Sequence, residues 1–422
     1  MMERLKRINP RWAAVLAFLA VIGPGIITAN VDNDAGGIAT YSIAGASFGY
    51  TLLWSLIPIT IALIVVQEMA SRLGVMTGKG FADLIREKWG IRVTFYLMIA
   101  LLFVNLSNTM AEFAGWAGSM EIFGVSKFVS VPIAALVVWL LVVRGSYNSV
   151  EKIFLFFTVI YVTYVISGFL ARPDWGLALH QTLVPPISFK VTYWVTLVGV
   201  IGTTIAPWMQ FYLQSAVVEK GIKPKDYTAS ATDVIVGCII TDVVAMFIIV
   251  ACAATLNKHG ITVSSAENAA LALEPLAGKY ASVLFAIGFA NASLFAASIL
   301  PLSTAYTVAE GLGWESGVNR TFGEAPQFNW IYTGMIFLGA SAIILIPQRL
   351  LIPVIFGSQV LNGVLVPVTA FFALRLVNDR SLLGEHVNGR WYNYLAWASV
   401  LACSAAAIFM MITALFPGLM PS

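Results

Sequence analysis

The sequence predicts an all-α polytopic membrane protein. Eleven transmembrane helices are expected as a five-plus-five inverted repeat with one further helix, and the first and sixth helices are broken at the midplane. Three observations carry this. The 422 residues are 59% hydrophobic and only 11% charged, where a soluble chain carries about a quarter charged residues. Apolar runs long enough to cross a bilayer recur along the whole chain. Two of these runs are interrupted by polar residues and helix breakers, in corresponding places of two halves.

Span one, 12–46, contains Asn30-Val31-Asp32-Asn33-Asp34-Ala35-Gly36-Gly37. Spans two to five, at 51–73, 92–118, 128–144 and 150–171, are apolar helical segments. Span six, 191–218, contains Gly202-Thr203-Thr204-Ile205-Ala206-Pro207. Spans seven to eleven fall at 230–256, 279–311, 328–347, 349–377 and 391–416. The apolar run from Ile331 to Val377 is too long for one crossing, so a tight turn is required at Pro347-Gln348-Arg349. Residues 1–422 read as a single transporter domain, with repeats at 12–171 and 191–377 and the extra helix at 391–416. Because five is odd, the second repeat is inverted relative to the first. The longest loops, 172–190 and 257–278, are expected to be short linkers.

Basic residues orient the chain. Arg4, Lys6, Arg7, Arg11, Arg72, Lys79, Arg86, Lys88, Arg92, Arg144, Lys152, Lys220, Lys223, Lys225, Arg320, Arg375, Arg380 and Arg390 share one side. That is 18 of the 24 basic residues. Lys127, Arg172, Lys190, Lys258, Lys279 and Arg349 lie on the other. The count places the N-terminus in the cytoplasm and the C-terminus outside. Met1 to Arg11 is short and basic, but the apolar run from Trp12 is too long for the core of a cleavable signal.

Other classes find little support. Cys238, Cys252 and Cys403 fall inside predicted spans without a paired motif, so neither a disulfide framework nor a thiolate metal site is expected. His180, His259 and His386 fall in predicted loops. No zinc-ligand pair or nucleophile constellation lies in the spans, so the chain does not read as an enzyme. No cofactor, nucleic acid or obligate protein partner is indicated. The expected partners are the lipid bilayer and the transported solute.

The breaks carry the chemistry. Asp32, Asn33 and Asp34 are poor helix formers, and Gly36 and Gly37 add backbone freedom. An unwound stretch leaves carbonyl oxygens without intrahelical partners, which is intolerable in lipid unless the stretch lines a cavity or a cation. Carbonyls, carboxylates and water are hard oxygen ligands suited to Mg²⁺, Mn²⁺ or Ca²⁺. In the second break Pro207 has no N–H to donate, which frees carbonyls near Thr203 and Thr204. Asp32 could be a second ligand, an outer-shell carboxylate or a solvated vestibule group. Asp242, deep in span seven, lines a water-filled vestibule or pairs with an unidentified neighbour, while Asp233 sits nearer the cytoplasmic end and could be solvated. Gln359 and Asn362 in span ten either complete the site through water or bond between helices. Glu68 and Arg72, one helical turn apart, read as a structural pair.

Several strings resemble the Nramp divalent-metal transporters, which have a LeuT-like inverted repeat. They are Gly23-Pro24-Gly25, Asp34-Ala35-Gly36-Gly37-Ile38-Ala39-Thr40, Gly45-Ala46-Ser47-Phe48-Gly49-Tyr50-Thr51-Leu52-Leu53-Trp54, Arg72-Leu73-Gly74-Val75-Met76-Thr77-Gly78-Lys79, Ala111-Glu112, Ile205-Ala206-Pro207 and Tyr212-Leu213-Gln214-Ser215. The resemblance covers most of the chain and implies Asp34 as the anchor of a transported metal, with Gln359 contributing.

Four departures from the family pattern stand out. Its first-helix signature Asp-Pro-Gly-Asn reads Asp34-Ala35-Gly36-Gly37, which keeps the carboxylate and loses the amide. Its sixth-helix methionine, a soft ligand favouring transition metals, is Ala206. The sixth-helix histidines of proton-coupled members are absent from Trp208-Met209-Gln210-Phe211-Tyr212-Leu213-Gln214. The aspartate that pairs with the third-helix glutamate is Thr109, leaving Glu112 alone. An emptier, all-oxygen site suits an ion that keeps part of its water, as Mg²⁺ does. This combination resembles the prokaryotic Nramp-related magnesium transporters, whose members carry Mg²⁺ and Mn²⁺.

The sequence therefore leads to a prokaryotic plasma-membrane importer of partly hydrated Mg²⁺, and also of Mn²⁺, working by alternating access without proton coupling. Its expected ligands are Asp34 and groups at Gly37, Thr203, Ala206 and Gln359. Asp32, Glu112, Asn362, Asp242 and Thr109 are expected in an outer shell or pathway. The alternatives are a proton-coupled Mn²⁺/Fe²⁺ importer and an organic-solute symporter of the same fold.

Overall fold

The structure, a computed structural model, describes residues 23–144 and 161–416. The start of span one (12–22), the start of span five (150–160) and the basic residues Arg4, Lys6, Arg7, Arg11 and Lys152 lie outside the described residues. Among the described residues there are helices and no strands. Among the described residues eight helical segments are long and apolar enough to cross a membrane, and Lys127–Val143 is a shorter apolar helix.

The first half contains α1 (Pro24–Val31), α2 (Ala35–Phe48), α3 (Leu53–Thr77), α4 (Phe81–Ile122), α5 (Lys127–Val143) and α6 (Val162–Leu170). After α7 (Trp175–Leu183), the second half contains α8 (Val191–Thr204), α9 (Pro207–Glu219), α10 (Tyr227–Thr255), α11 (Ala281–Leu312), α12 (Pro326–Leu345) and α13 (Leu351–Val377). The last long helix is α14 (Arg390–Leu415).

Both expected breaks are present. The first separates α1 from α2 at residues 32–34, and the second separates α8 from α9 at residues 205–206. Asp34 is the N-cap of α2, its side chain accepting the Gly37 N–H. Pro207 occupies the first helical position of α9, where its missing N–H is harmless. The expected turn between spans nine and ten is a short 3₁₀ turn, Gln348–Leu350.

Three expectations need correction. Span three is longer than expected, because α4 begins at Phe81 with a charged segment and bends at Gly90. Gly90 has φ 80° and ψ 171°, a conformation only glycine adopts cheaply. The loops 172–190 and 257–278 are not plain linkers. The first contains α7, and the second contains the short helices Ala266–Ala270 and Glu274–Ala277. Local N-caps account for two of these, since Asp174 accepts the Leu177 N–H and Ser265 the Asn268 N–H.

The broken helices sit in the middle of the bundle. α10 packs along α1, α2 and α3, while α8 packs on α13 and α2. α4 runs against α11 and α13. Small residues permit this closeness. A Cβ on Gly237 of α10 would lie 3.0 Å from the Gly25 carbonyl oxygen, and one on Gly45 would collide with the Ile249 carbonyl. At the end of the bundle where α3 and α14 meet, Glu68 and Arg72 form the expected ion pair at 2.7 Å. Arg72 also donates to the His386 carbonyl and to Asn388 Oδ1, and Tyr392 donates to Glu68.

Candidate functional site

The two breaks lie against each other. A Cβ on Gly37 would lie 3.4 Å from Thr203 Oγ1. Tyr41 Oη bonds Thr204 Oγ1 at 2.8 Å. The Thr204 proton goes to the Val200 carbonyl, so Tyr41 is the donor, and the N-terminal part of α2 is fastened to the C-terminus of α8. The Thr203 carbonyl would be served by the N–H four residues on, but that residue is Pro207. The carbonyl keeps its lone pairs beside the first break.

Asp34 is 5% exposed. Its Oδ1 accepts the Gly37 N–H at 2.7 Å. Gln359 of α13 closes another side, and a Cβ on Gly36 would collide with Gln359 Nε2. α8 and α13 touch through Gly202, where a Cβ would collide with the Gln359 carbonyl and the Gly363 nitrogen. Five sequence-predicted positions, Asp34, Gly36, Gly37, Thr203 and Gln359, are thus brought together. Ala206, buried, is the N-cap of α9 and has no side-chain cap bond. Its carbonyl accepts the Met209 N–H at 3.1 Å.

The expectation that Gly37 leaves empty space is corrected. A Cβ there would collide with the backbone carbonyl of Asp32. The turn at 32–34 folds into the room that a side chain at 37 would need. A backbone oxygen takes the place that a Cβ at 37 would occupy.

Glu112 does not stand alone. Its Oε2 accepts the Ala35 N–H at 3.2 Å, and its carboxyl group lies beside that of Asp34. Glu112 Oε1 is buried without a hydrogen-bond partner. Thr109 is not at the site. Its hydroxyl bonds the Asn105 carbonyl in its own helix at 2.8 Å, and its methyl packs on Gly339 of α12.

Gln359 continues into an amide chain. Asn362 Nδ2 donates to Gln359 Oε1 at 2.9 Å, and Asn108 Nδ2 donates to Asn362 Oδ1 at 2.8 Å. Gln359 therefore turns its Nε2 toward Gly36 while its oxygen is engaged. Asn108, on α4, was not among the expected residues. Its signal was available, because it precedes Glu112 by four positions and so shares its helix face.

Asp233 is corrected as well. It is buried, accepting the N–H groups of Gly23, Gly25 and Ile26 at 3.2, 2.7 and 3.4 Å. It caps α1 from α10, a structural task. Asp242 finds no hydrogen-bond partner for either carboxylate oxygen, and neither does Asp32. Among the described residues no three acidic, histidine or cysteine side chains converge as a metal cluster.

The divalent metal cation transporter MntH of Klebsiella pneumoniae is 27% identical over 395 residues, covering 90% of this chain and 91% of that protein. The divalent metal cation transporter MntH of Deinococcus radiodurans is 28% identical over 399 residues, covering 91% and 87%. The crystal structure of the Eremococcus coleocola manganese transporter, in complex with an aromatic bis-isothiourea substituted compound, has the same fold. Its TM-score is 0.77 at 20% identity, over 96% of this chain and 88% of that one. The profile of the family described as natural resistance-associated macrophage protein-like matches residues 25–413, and the chain belongs to this Nramp family.

Proposed function

We propose that this protein imports divalent metal ions by alternating access, with Mg²⁺ carried partly hydrated and Mn²⁺ carried as well. The observation that carries the reading is the junction of the two breaks. The buried Asp34 carboxylate lies where Gly36, Gly37, Thr203 and Gln359 meet, and the side chains at these positions and at Ala206 bring no sulfur. Hard oxygens with few side-chain amides in direct reach suit an ion that exchanges only part of its water. Because the Gln359 oxygen is engaged by Asn362, Gln359 acts on the ion through water unless its amide turns over. Asn362, Glu112 and Asp32 then form the outer shell. The relatives from Klebsiella and Deinococcus are named for divalent metal cations, which supports the cargo class.

We infer eleven spans, in two inverted sets of five and one extra helix, within a prokaryotic plasma membrane. The N-terminus is cytoplasmic and the C-terminus outside. A membrane potential of 100 mV, negative inside, supplies about 4.6 kcal/mol to a divalent ion, twice the single-charge value. That is sufficient drive without protons. Transport proceeds by rocking of one helix group about the junction.

A second reading, a proton-coupled manganese importer, is favoured by one observation: the Asp34 and Glu112 carboxyl groups are neighbours. Reconstitution in liposomes with a pH dye inside separates the two. The first reading expects Mg²⁺ uptake, competition between Mg²⁺ and Mn²⁺, and no acidification. Acidification that tracks metal entry would establish the second. Failure of Mg²⁺ to enter or to compete would remove magnesium from the cargo.

A further inference from the structure

Beside the Asp34 junction lies a pair of acids, Asp32, which the transport site uses only in its outer shell, and Asp242, which it does not use. Asp32 is on the turn between α1 and α2, and Asp242 is in the middle of α10. They are 2% and 5% exposed. All four of their carboxylate oxygens are buried without a hydrogen-bond partner. The residue after Asp32 bonds the backbone of the residue before Asp242. The Thr60 hydroxyl is within reach of Asp242, but its proton is committed to the Leu56 carbonyl at 2.7 Å.

The approach of these two acids is built in. Asn33 Nδ2 donates to the Thr241 carbonyl at 3.3 Å, and Thr241 Oγ1 donates to the Ala29 carbonyl at 2.6 Å. These bonds clamp the turn bearing Asp32 to the helix position next to Asp242. Beside them, Asn33 Oδ1 is also fully buried and unpartnered. Its amide nitrogen is used by the clamp, which leaves the carbonyl oxygen free. No cationic side chain forms an ion pair with either acid among the described residues. Two like charges held together in a dry interior are costly unless one of them is protonated or a cation lies between them.

We propose that Asp32, Asp242 and the Asn33 amide oxygen form a second cation site, which holds a hydrated divalent ion next to the Asp34 site. The inference rests on the reading of the chain as a divalent-metal transporter. Two carboxylates and one amide oxygen are too few to strip such an ion, so water completes its shell. The site stages the next ion within a few residues of Asp34. An ion at each site also places four positive charges among Asp32, Asp34, Glu112 and Asp242, which balances four buried carboxylates.

The test counts ions on the full-length protein in lipid nanodiscs, by equilibrium dialysis against Mn²⁺ and by electron paramagnetic resonance of the bound Mn²⁺. The wild type is expected to bind two Mn²⁺ with dipolar broadening, both displaced by excess Mg²⁺. Asp34→Asn and Asp242→Asn are each expected to bind one, without broadening. One Mn²⁺ in the wild type, lost in Asp34→Asn and kept in Asp242→Asn, would overturn the second site and leave the transport reading standing. No bound Mn²⁺ in the wild type would overturn both. The Asp34→Asn count keeps the test decisive if Asp242→Asn does not fold, because a remaining ion there supports the second site and none overturns it.

Discussion

Glu112 Oε2 accepts the backbone N–H of Ala35 at 3.2 Å, so a carboxylate from α4 holds the N-terminus of α2 one residue after Asp34. Asp34 caps the same helix from within, through the Gly37 N–H. Two acids thereby share one helix end, whose positive dipole favours negative charge. Glu112→Gln retains an oxygen for the Ala35 N–H, whereas Glu112→Ala leaves that N–H buried and unpaired. The alanine variant is expected to lose about 1–3 kcal/mol of stability, and the glutamine variant less. Thermal unfolding in detergent checks the order, and equal midpoints for the two variants would refute the capping role. If the pair moves protons, Glu112→Gln should abolish acidification coupled to metal entry. In an uncoupled carrier it changes only the rate.

The contact of Gly202 with α13 predicts a second effect. A Cβ at 202 meets backbone on the facing helix, which cannot rotate away, whereas a Cβ at Gly36 meets the end of a side chain. Overpacking a tight core costs about 1–3 kcal/mol. Gly202→Ala is expected at or above the top of that range, with loss of uptake. Gly36→Ala is expected to be milder and to be partly rescued by Gln359→Ala, which removes the colliding amide. Thermal melts of the single and double variants give the coupling. No rescue in the double variant would mean that Gln359 is not what limits position 36.

Much of the fold was legible because its signals are local. Asp32-Asn33-Asp34 and Pro207 disfavour continuous helix where they stand, and both breaks fall there. The turn expected at Pro347-Gln348-Arg349 from the length of the apolar run lies at Gln348–Leu350. The site was legible in its residues but not in its contacts. Asp34, Thr203 and Gln359 were expected, yet nothing local said that Gln359 would give its oxygen to Asn362. Asp233 read as a solvated acid, because its partners, the Gly23 and Gly25 amides, lie more than two hundred residues away. Thr109 was placed by family position, and helix rotation points it at Gly339 instead. Pairings of this range are set by packing between helices, which a linear pattern does not encode.

The long-range cap has its own consequence. α1 is only eight residues long, too short to hold itself without help. The Gly25 and Ile26 N–H groups in its first turn, and that of Gly23 just before it, end on Asp233. Asp233→Ala is expected to cost about 1–2 kcal/mol and to speed hydrogen exchange at residues 25–28 well before exchange rises in α10. Asp233→Asn keeps one acceptor and should be intermediate. Exchange that rises equally in α1 and α10 would indicate a global loss of packing in place of a lost cap.

The last prediction concerns selectivity at positions 37 and 206. Restoring the family residues would seem to need only the addition of two side chains, but the Asp32 carbonyl occupies the place of a Cβ at 37. Gly37→Asn must therefore push back the 32–34 turn, which also moves Asp34. Ala206→Met adds a soft donor on the facing break. Alone, Gly37→Asn is expected to weaken Mg²⁺ uptake and lower thermal stability. Ala206→Met alone is expected to admit Cd²⁺, because thioether sulfur favours softer ions. Together they should raise Mn²⁺ over Mg²⁺ by about tenfold, which corresponds to about 1.4 kcal/mol. Competition uptake in liposomes gives the ratio. An unchanged ratio in a folded double variant would show that hydration of the ion, and with it the preference for magnesium, does not depend on what these two positions lack.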